Sequence, residues 1–177
     1  MFKTLINAFK IEDIRKKLIY TFLMLIVIRI GSQLPVPGVN RDYFAAWFAA
    51  QNNGAFNFFD AFTGGSFSSM SLFALGVNPY ITSSIIVQLL TIAIPALEQL
   101  QKEGQEGRNK IQNATRYVAI GIAVILAIGV LTTLSNYGGT SGITKFEYVV
   151  IVLSLIVGST FCIWLGDQIT QKGIGNG

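Results

Sequence analysis

The chain carries no charged residue from 61 to 97. This uncharged run changes character at Gly76-Val77-Asn78-Pro79, where a Gly/Ser/Phe-rich stretch gives way to a long apolar helix pattern. In a bilayer, backbone amides need internal partners, so helix breaks are tolerated where they are buried in protein or line a water-filled cavity. The run therefore indicates a channel or a transporter.

The composition supports a membrane protein. Hydrophobic residues make up 51% of the chain and charged residues 12%, with a mean hydropathy of +0.54. These values are typical of a polytopic membrane protein and not of a soluble domain. The net charge of +4 does not indicate nucleic-acid binding, because the basic residues flank apolar segments, as topology signals do.

Apolar segments predict an all-α polytopic membrane protein with four transmembrane helices. The spans are expected at 18–34, 78–97, 117–134 and 148–165, each close to the ~20 residues that cross a hydrocarbon core. Lys and Arg are frequent before the first span and between the second and third, and sparse elsewhere. This distribution predicts a cytoplasmic N-terminus, with an amphipathic interfacial helix at 1–17, and a cytoplasmic loop at 98–116.

Residues 63–76 (TGGSFSSMSLFALG) are too few and too polar to span a bilayer, and predict a re-entrant half-helix. Asn78-Pro79 is a suitable restart for a helix, since Asn caps free amides and Pro is tolerated in the first turn. Val77 and Ile81 are four residues apart and share a helix face. They can build an aliphatic constriction or pack in a core, and periodicity does not separate the two.

Four polar or charged residues inside the spans need an explanation. Ser83 and Ser84 can bond the preceding helical turn and pack against another helix. The Gln88 amide is not satisfied in that way, which favours a polar contact at a helix seam. For Arg29, snorkelling to the interface or pairing with another helix is favoured over a direct role in transport.

Catalytic features are scarce in this sequence. It contains no histidine, and Cys162 is its single cysteine, so the commonest general base and the usual metal-ligand sets are missing. The string 64–68 (GGSFS) has no His partner for a serine nucleophile. We therefore expect no enzymatic activity, metal or cofactor.

Four stretches stand out in order along the chain: RIGSQLPVPGV (29–39), FTGGSFSSMSLFALGVNPYITSSIIVQLLT (62–91), KEGQEGRNKIQNATRY (102–117) and WLGDQITQKGIGNG (164–177). Together they resemble the N-terminal part of the SecY family, the channel subunits of the bacterial Sec protein translocase. The resemblance implies a ten-helix channel of two pseudo-symmetric halves, with a plug and a lateral gate. The fifth helix and the second half would lie outside this chain.

The resemblance also implies site residues, partners and a location. The re-entrant plug segment would be 55–76, with a plug at about 55–69 that includes Phe62, Gly64, Gly65, Ser66 and Phe67. The pore ring would include Val77 and Ile81, and the lateral gate and signal-sequence contact would include Ile85 and Gln88. The implied partners are the SecE and SecG subunits, the SecA motor or a translating ribosome, signal sequences, the unfolded polypeptide substrate, membrane lipid and the C-terminal part of the channel. The implied location is the bacterial cytoplasmic membrane.

The mixed charge of residues 98–116 separately predicts a cytoplasmic docking surface that uses Arg108 and Lys110. Asn78 departs from the hydrophobic residue that is more usual in the family. Water is therefore expected to reach the start of this helix more easily.

The expected function is passive conduction of unfolded polypeptides across the membrane and insertion of apolar segments into it. An aliphatic ring suits this task because it offers no hydrogen bonds to a passing chain and dewets when closed. A secondary transporter with a broken substrate-binding helix is the alternative, although the spans hold no buried acidic coupling residue. A structural membrane protein is a third class, and it would show no aqueous access around 77–88.

Overall fold

The computed structural model describes residues 11–39, 41–50, 54–136 and 144–175. The described residues form helices and turns, and one isolated bridge joins Pro35 to Ser71. The helices are α1 (Glu12–Gly31), α2 (Arg41–Ala50), α3 (Gly54–Phe62), α4 (Asn78–Ala93), α5 (Pro95–Lys102), α6 (Gln105–Asn136) and α7 (Lys145–Lys172). The predicted all-α class is confirmed for this part of the chain.

Length and composition qualify fewer helices as membrane spans than the sequence predicted. Among the described residues, α6 and α7 are long and apolar enough, and the bent pair α4–α5 raises the number to at most three. α1 covers most of the span predicted at 18–34, but its twenty residues also include Arg15, Lys16 and Lys17 near its start and Arg29 in its last turn. The predicted count of four spans is therefore not confirmed.

The second predicted span, 78–97, is wrong at its C-terminal end. α4 stops at Ala93, and Ile94 is extended with φ −110° and ψ 111°. Pro95 explains this end, because the proline ring disfavours helical geometry in the residue before it. α5 then begins at Pro95 and is bent by 101° from α4.

Residues 98–116 are not an open loop. They belong to α5 and to the first turns of α6, which together form the α5–α6 hairpin (95–116) with a tight turn at Gly104, where φ is +83°. Two exposed ion pairs of i,i+4 spacing support these helical turns, Glu98–Lys102 at 2.6 Å and Glu106–Lys110 at 3.2 Å. The predicted third span, 117–134, is accordingly the second part of one long helix.

The core of the described chain lies where α6 and α7 meet the segment before α4. Ala119, Ala123 and Ala127 repeat every fourth residue of α6 and are fully buried, so they allow the close backbone approach that small residues permit between membrane helices. Ile151 and Leu155 of α7 belong to the same core cluster as Ala123 and Ala127. α7 extends beyond the predicted span 148–165 at both ends.

The half-helix predicted at 63–76 is also wrong in position. Those residues form consecutive turns, and the helical part is α3, which precedes them. Gly64, Gly65, Gly76 and Met70 adopt positive φ, which a right-handed helix does not permit. For the predicted N-terminal helix, residues 1–10 lie outside the described residues, and 12–17 are the first turns of α1.

Candidate functional site

The segment between α3 and α4 divides into two parts, which we name the arm (residues 54–65, α3 and the two glycines after it) and the base (residues 66–77). The base is packed into the protein: Ser66, Phe67, Met70 and Ser71 are all buried. The Phe67 ring meets the Phe44 ring edge-on, with centroids 5.7 Å apart. This packing makes the base part of the core.

Backbone hydrogen bonds join the base to the stretch that follows α1. The Val36 amide donates to the Met70 carbonyl at 3.1 Å, and the Leu72 amide donates to the Leu34 carbonyl at 2.9 Å. These two bonds flank the isolated bridge from Pro35 to Ser71. The base is thus tied to a distant part of the chain by the backbone itself.

α7 closes on the base from another side. A Cβ at Gly158 would lie 1.9 Å from the Leu72 carbonyl oxygen, so only glycine permits this approach. The next residue, Ser159, is fully buried and donates its hydroxyl to the Gly76 carbonyl at 3.0 Å. α7 therefore fixes the base immediately before α4 begins.

The arm is attached more loosely. Asp60 Oδ1 accepts a bond from the Ser68 amide at 2.8 Å, and Arg29 Nη1 donates to the Gly64 carbonyl at 3.2 Å. Phe58 is 68% exposed, and a Cβ at Gly64 or Gly65 would meet nothing within 4 Å. Among the described residues, side-chain bonds at Asp60, Gly64 and Gly65 hold the arm in place, the last from the Ser68 and Ser69 hydroxyls.

The predicted plug residues fall on both parts. Gly64 and Gly65 lie in the arm, whereas Ser66 and Phe67 are buried in the base. Phe62 ends α3, and its side chain lies outside the described residues.

Val77 and Ile81, the predicted ring residues, lie side by side where the base meets α4. The Ile81 amide donates to the Val77 carbonyl at 3.1 Å. Their side chains are 42% and 41% exposed within the described chain. An aliphatic pair is thus presented at the surface directly beside the anchored base.

The predicted gate residues continue along α4. Ile85 is exposed one helical turn after Ile81. Gln88 donates to the Ser84 hydroxyl of its own helix at 3.2 Å and lines a cavity of about 300 Å³ between α4 and the α5–α6 hairpin. The seam contact predicted for Gln88 is therefore a polar cavity wall and not a direct bond to another helix.

The two predicted docking residues have different surroundings. Lys110 pairs with Glu106, whereas Arg108 lines the same cavity as Gln88. At the far side of α6, Arg116 and Asp167 form an ion pair at 2.7 Å that joins α6 to α7.

Sequence reasoning missed several residues that position the site. Gly158 and Ser159 were not singled out, although small residues inside an apolar helix often mark a close helix contact. Pairing of Arg29 was expected, but its acceptor, the Gly64 carbonyl, lies 35 residues away in sequence. Asp60 precedes the uncharged run and gave no signal of its bond to Ser68.

Comparison with known proteins identifies similar chains. A family model described as SecY matches residues 71–177. The protein translocase subunit SecY of Halalkalibacterium halodurans is 44% identical, with 100% of this chain and 41% of the relative covered. The corresponding subunits of Pseudomonas aeruginosa and Escherichia coli K12 are 43% and 41% identical, covering 94% and 93% of this chain and 38% of each relative. The chain thus spans about two fifths of the length of these relatives.

Proposed function

The chain belongs to the SecY family, and we propose that it forms part of the wall, the gate and the seal of a protein-conducting channel. The observation that carries this proposal is the exposed pair Val77 and Ile81 beside the anchored base, in a chain whose similarity to translocase subunits covers its whole length. The relatives' names give no support to the alternative of a secondary transporter.

The mechanism follows from the character of the side chains. Val77 and Ile81 would contribute to an aliphatic ring that closes loosely around an unfolded chain, because aliphatic groups form no hydrogen bonds with a passing peptide. A narrow apolar ring also dewets, which resists ions while the channel rests. Ile85 and Gln88 would continue this surface as the lateral gate, where an apolar segment of the substrate leaves for lipid.

The arm is the part of the segment suited to be a movable plug. Asp60 and the Gly64 carbonyl tie it to Ser68 and Arg29, and the Gly65 carbonyl accepts the Ser68 and Ser69 hydroxyls. Gly64 and Gly65 adopt positive φ, and an added Cβ at either would meet nothing within 4 Å. The base would stay in place while the arm moves. This restricts the predicted plug of about 55–69 to residues 54–65.

The partners and the orientation belong to the same proposal. SecE and SecG would surround the channel together with its C-terminal part, and SecA or a ribosome would supply signal sequences and unfolded polypeptides. The excess of Lys and Arg in residues 1–17 and in the α5–α6 hairpin supports a cytoplasmic location for both. The host membrane would be the bacterial cytoplasmic membrane.

Two variants of a complete SecY channel that carries this sequence test the proposal in planar bilayers. Deletion of 55–62 removes the exposed arm helix and should make the resting pore leak intermittently, while export of a reporter protein continues. Ile81→Ser should add a steady ion conductance, because a hydroxyl wets the constriction. Ile81→Leu serves as the control and should stay as tight as the parent.

The same variants should export a reporter with a weakened signal sequence more readily, since each loses contacts that favour the closed state. If both the deletion and Ile81→Ser remain ion-tight and equally stringent, these residues are packing and the proposed gate is wrong.

A further inference from the structure

A second candidate site lies between α4 and the α5–α6 hairpin. The cavity there has a volume of about 300 Å³. Its walls include the side-chain amides of Gln88, Gln101 and Gln112 and the guanidinium group of Arg108. None of the described residues that line it is acidic, so the cavity offers hydrogen-bond donors and a positive charge with no internal anion.

Arg108 differs from the other charged residues of the hairpin. Lys102 pairs with Glu98 and Lys110 pairs with Glu106. Within the described chain, the Arg108 side chain forms no hydrogen bond or ion pair. Arg108 is thus an uncompensated cation at the wall of a polar cavity, two residues away from a lysine whose charge is already matched.

A carboxylate matches this set of groups. Arginine binds carboxylate oxygens through two parallel N–H donors, and the amides of Gln101 and Gln112 can donate to the same anion. Val87 and Ile111 provide apolar wall that can contact the methylene groups of a Glu side chain. We infer that this cavity binds an acidic side chain of a polypeptide, with Arg108 as its charged contact and the glutamine amides as additional donors.

The surroundings favour a polypeptide over a lipid phosphate. The wall combines amide, hydroxyl and guanidinium groups with the apolar side chains of Val87 and Ile111, as the mixed surface of a polypeptide side chain requires. The hairpin also carries exposed ion pairs, which is typical of a segment in water beyond the membrane surface. The inference rests on the proposed function for placing this cavity on the cytoplasmic side, where partner and substrate chains arrive.

The test is a binding titration on a complete SecY channel that carries this sequence, reconstituted in phosphatidylcholine nanodiscs. The probe is fluorescein-labelled hexaglutamate, followed by anisotropy, with hexaglutamine as the uncharged peptide. We expect Arg108→Gln to weaken hexaglutamate binding about tenfold or more, since hydrogen bonds to charged groups are the strong ones. Arg108→Lys keeps the charge but loses the two-donor geometry, so its affinity for hexaglutamate should lie between those of the parent and of Arg108→Gln.

Lys110→Gln is the matched control, because it removes the same charge from the same helix without touching the cavity wall. It should change binding by less than about twofold, as exposed charges are screened by salt. Equal weakening by Lys110→Gln and Arg108→Gln would show that only the net charge of the hairpin matters, and would overturn the inference.

A lipid arm completes the test. If hexaglutamate fails to bind, while phosphatidylglycerol or inorganic phosphate binds in an Arg108-dependent way, the cavity is a phosphate site and the inference is overturned. The assay needs no translocation, so its failure is separable from that of the proposed function. If the peptide does not bind to a channel that still conducts polypeptides, the carboxylate site is overturned and the proposed function is not. If the peptide binds in an Arg108-dependent way to a channel that conducts no polypeptide, the proposed function is overturned and the carboxylate site is not.

Discussion

The arm and the base are adjacent in sequence and differ sharply in their surroundings. Both are rich in small and aromatic residues, and Asp60 is the only charge in either. The base is buried against α2, α7 and the stretch after α1, with a side-chain bond from α7 and backbone bonds to the stretch after α1. The arm is joined to its surroundings by the Arg29–Gly64 and Ser68–Asp60 bonds and by the Ser68 and Ser69 hydroxyls at the Gly65 carbonyl, and its Phe58 side chain is exposed.

The difference indicates which part of this segment can move at a low cost in free energy. Free energies of local opening are low where few apolar contacts are buried and where bonds are exposed, and they approach the global stability in the core. The arm meets the first description and the base meets the second. As a seal, the arm would therefore move while the base stays fixed. Three substitutions test this division, in order from the largest expected effect to the smallest.

The largest effect is expected from Gly158→Ala in α7. The new methyl group would lie 1.9 Å from the Leu72 carbonyl oxygen, so α7 must separate from the base. We expect destabilisation of about 3 kcal/mol, at the upper end for overpacking, measured as a lower thermal unfolding midpoint of the channel in detergent. Gly121→Ala in α6, where a Cβ meets nothing within 4 Å, should be neutral or slightly stabilising. Equal midpoints for the two variants would contradict the tight contact.

A smaller effect is expected from Ser159→Ala. The substitution leaves the Gly76 carbonyl without its hydroxyl donor in a buried place, which should lower the free energy of unfolding by about 1–2 kcal/mol in the same assay. Thr160→Val is the control, because the Thr160 hydroxyl bonds the Ile156 carbonyl within its own helix and is exposed. A loss no greater than that of Thr160→Val would mean that the Ser159 bond does not anchor the base.

The smallest effect on stability is expected from Arg29→Gln. The bond from Arg29 to the Gly64 carbonyl is exposed, so its loss should lower the free energy of unfolding by less than about 0.5 kcal/mol. Its signature should instead be faster amide hydrogen exchange in the arm, 54–65, with unchanged exchange in the base, 66–77. Arg29→Lys keeps a hydrogen-bond donor, so the amide hydrogen exchange of its arm should be closer to that of the parent. Faster exchange in both parts would remove the distinction between arm and base.

Parts of the fold could be predicted because they depend on local chemistry. The restart of a helix at Asn78-Pro79 and the shared face of Val77 and Ile81 follow from proline geometry and helical periodicity, and the structure has both. The end of α4 was readable too, since Ile94-Pro95 carries the same signal, although the predicted span passed through it. The Glu/Lys spacing of the α5–α6 hairpin likewise indicates helix where a loop was expected.

The sequence by itself determined the membrane class, the helical character and the position of the break, because hydropathy, periodicity and proline act over a few residues. Only the tertiary structure decided which part of the uncharged run is core and which is exposed. That division depends on contacts such as Gly158 with Leu72 and Ser159 with Gly76, whose partners lie more than eighty residues apart. Composition carries no information about such partners, since the same residue type, Ser, is buried or exposed according to which segment of the chain packs against it and accepts its hydrogen bond.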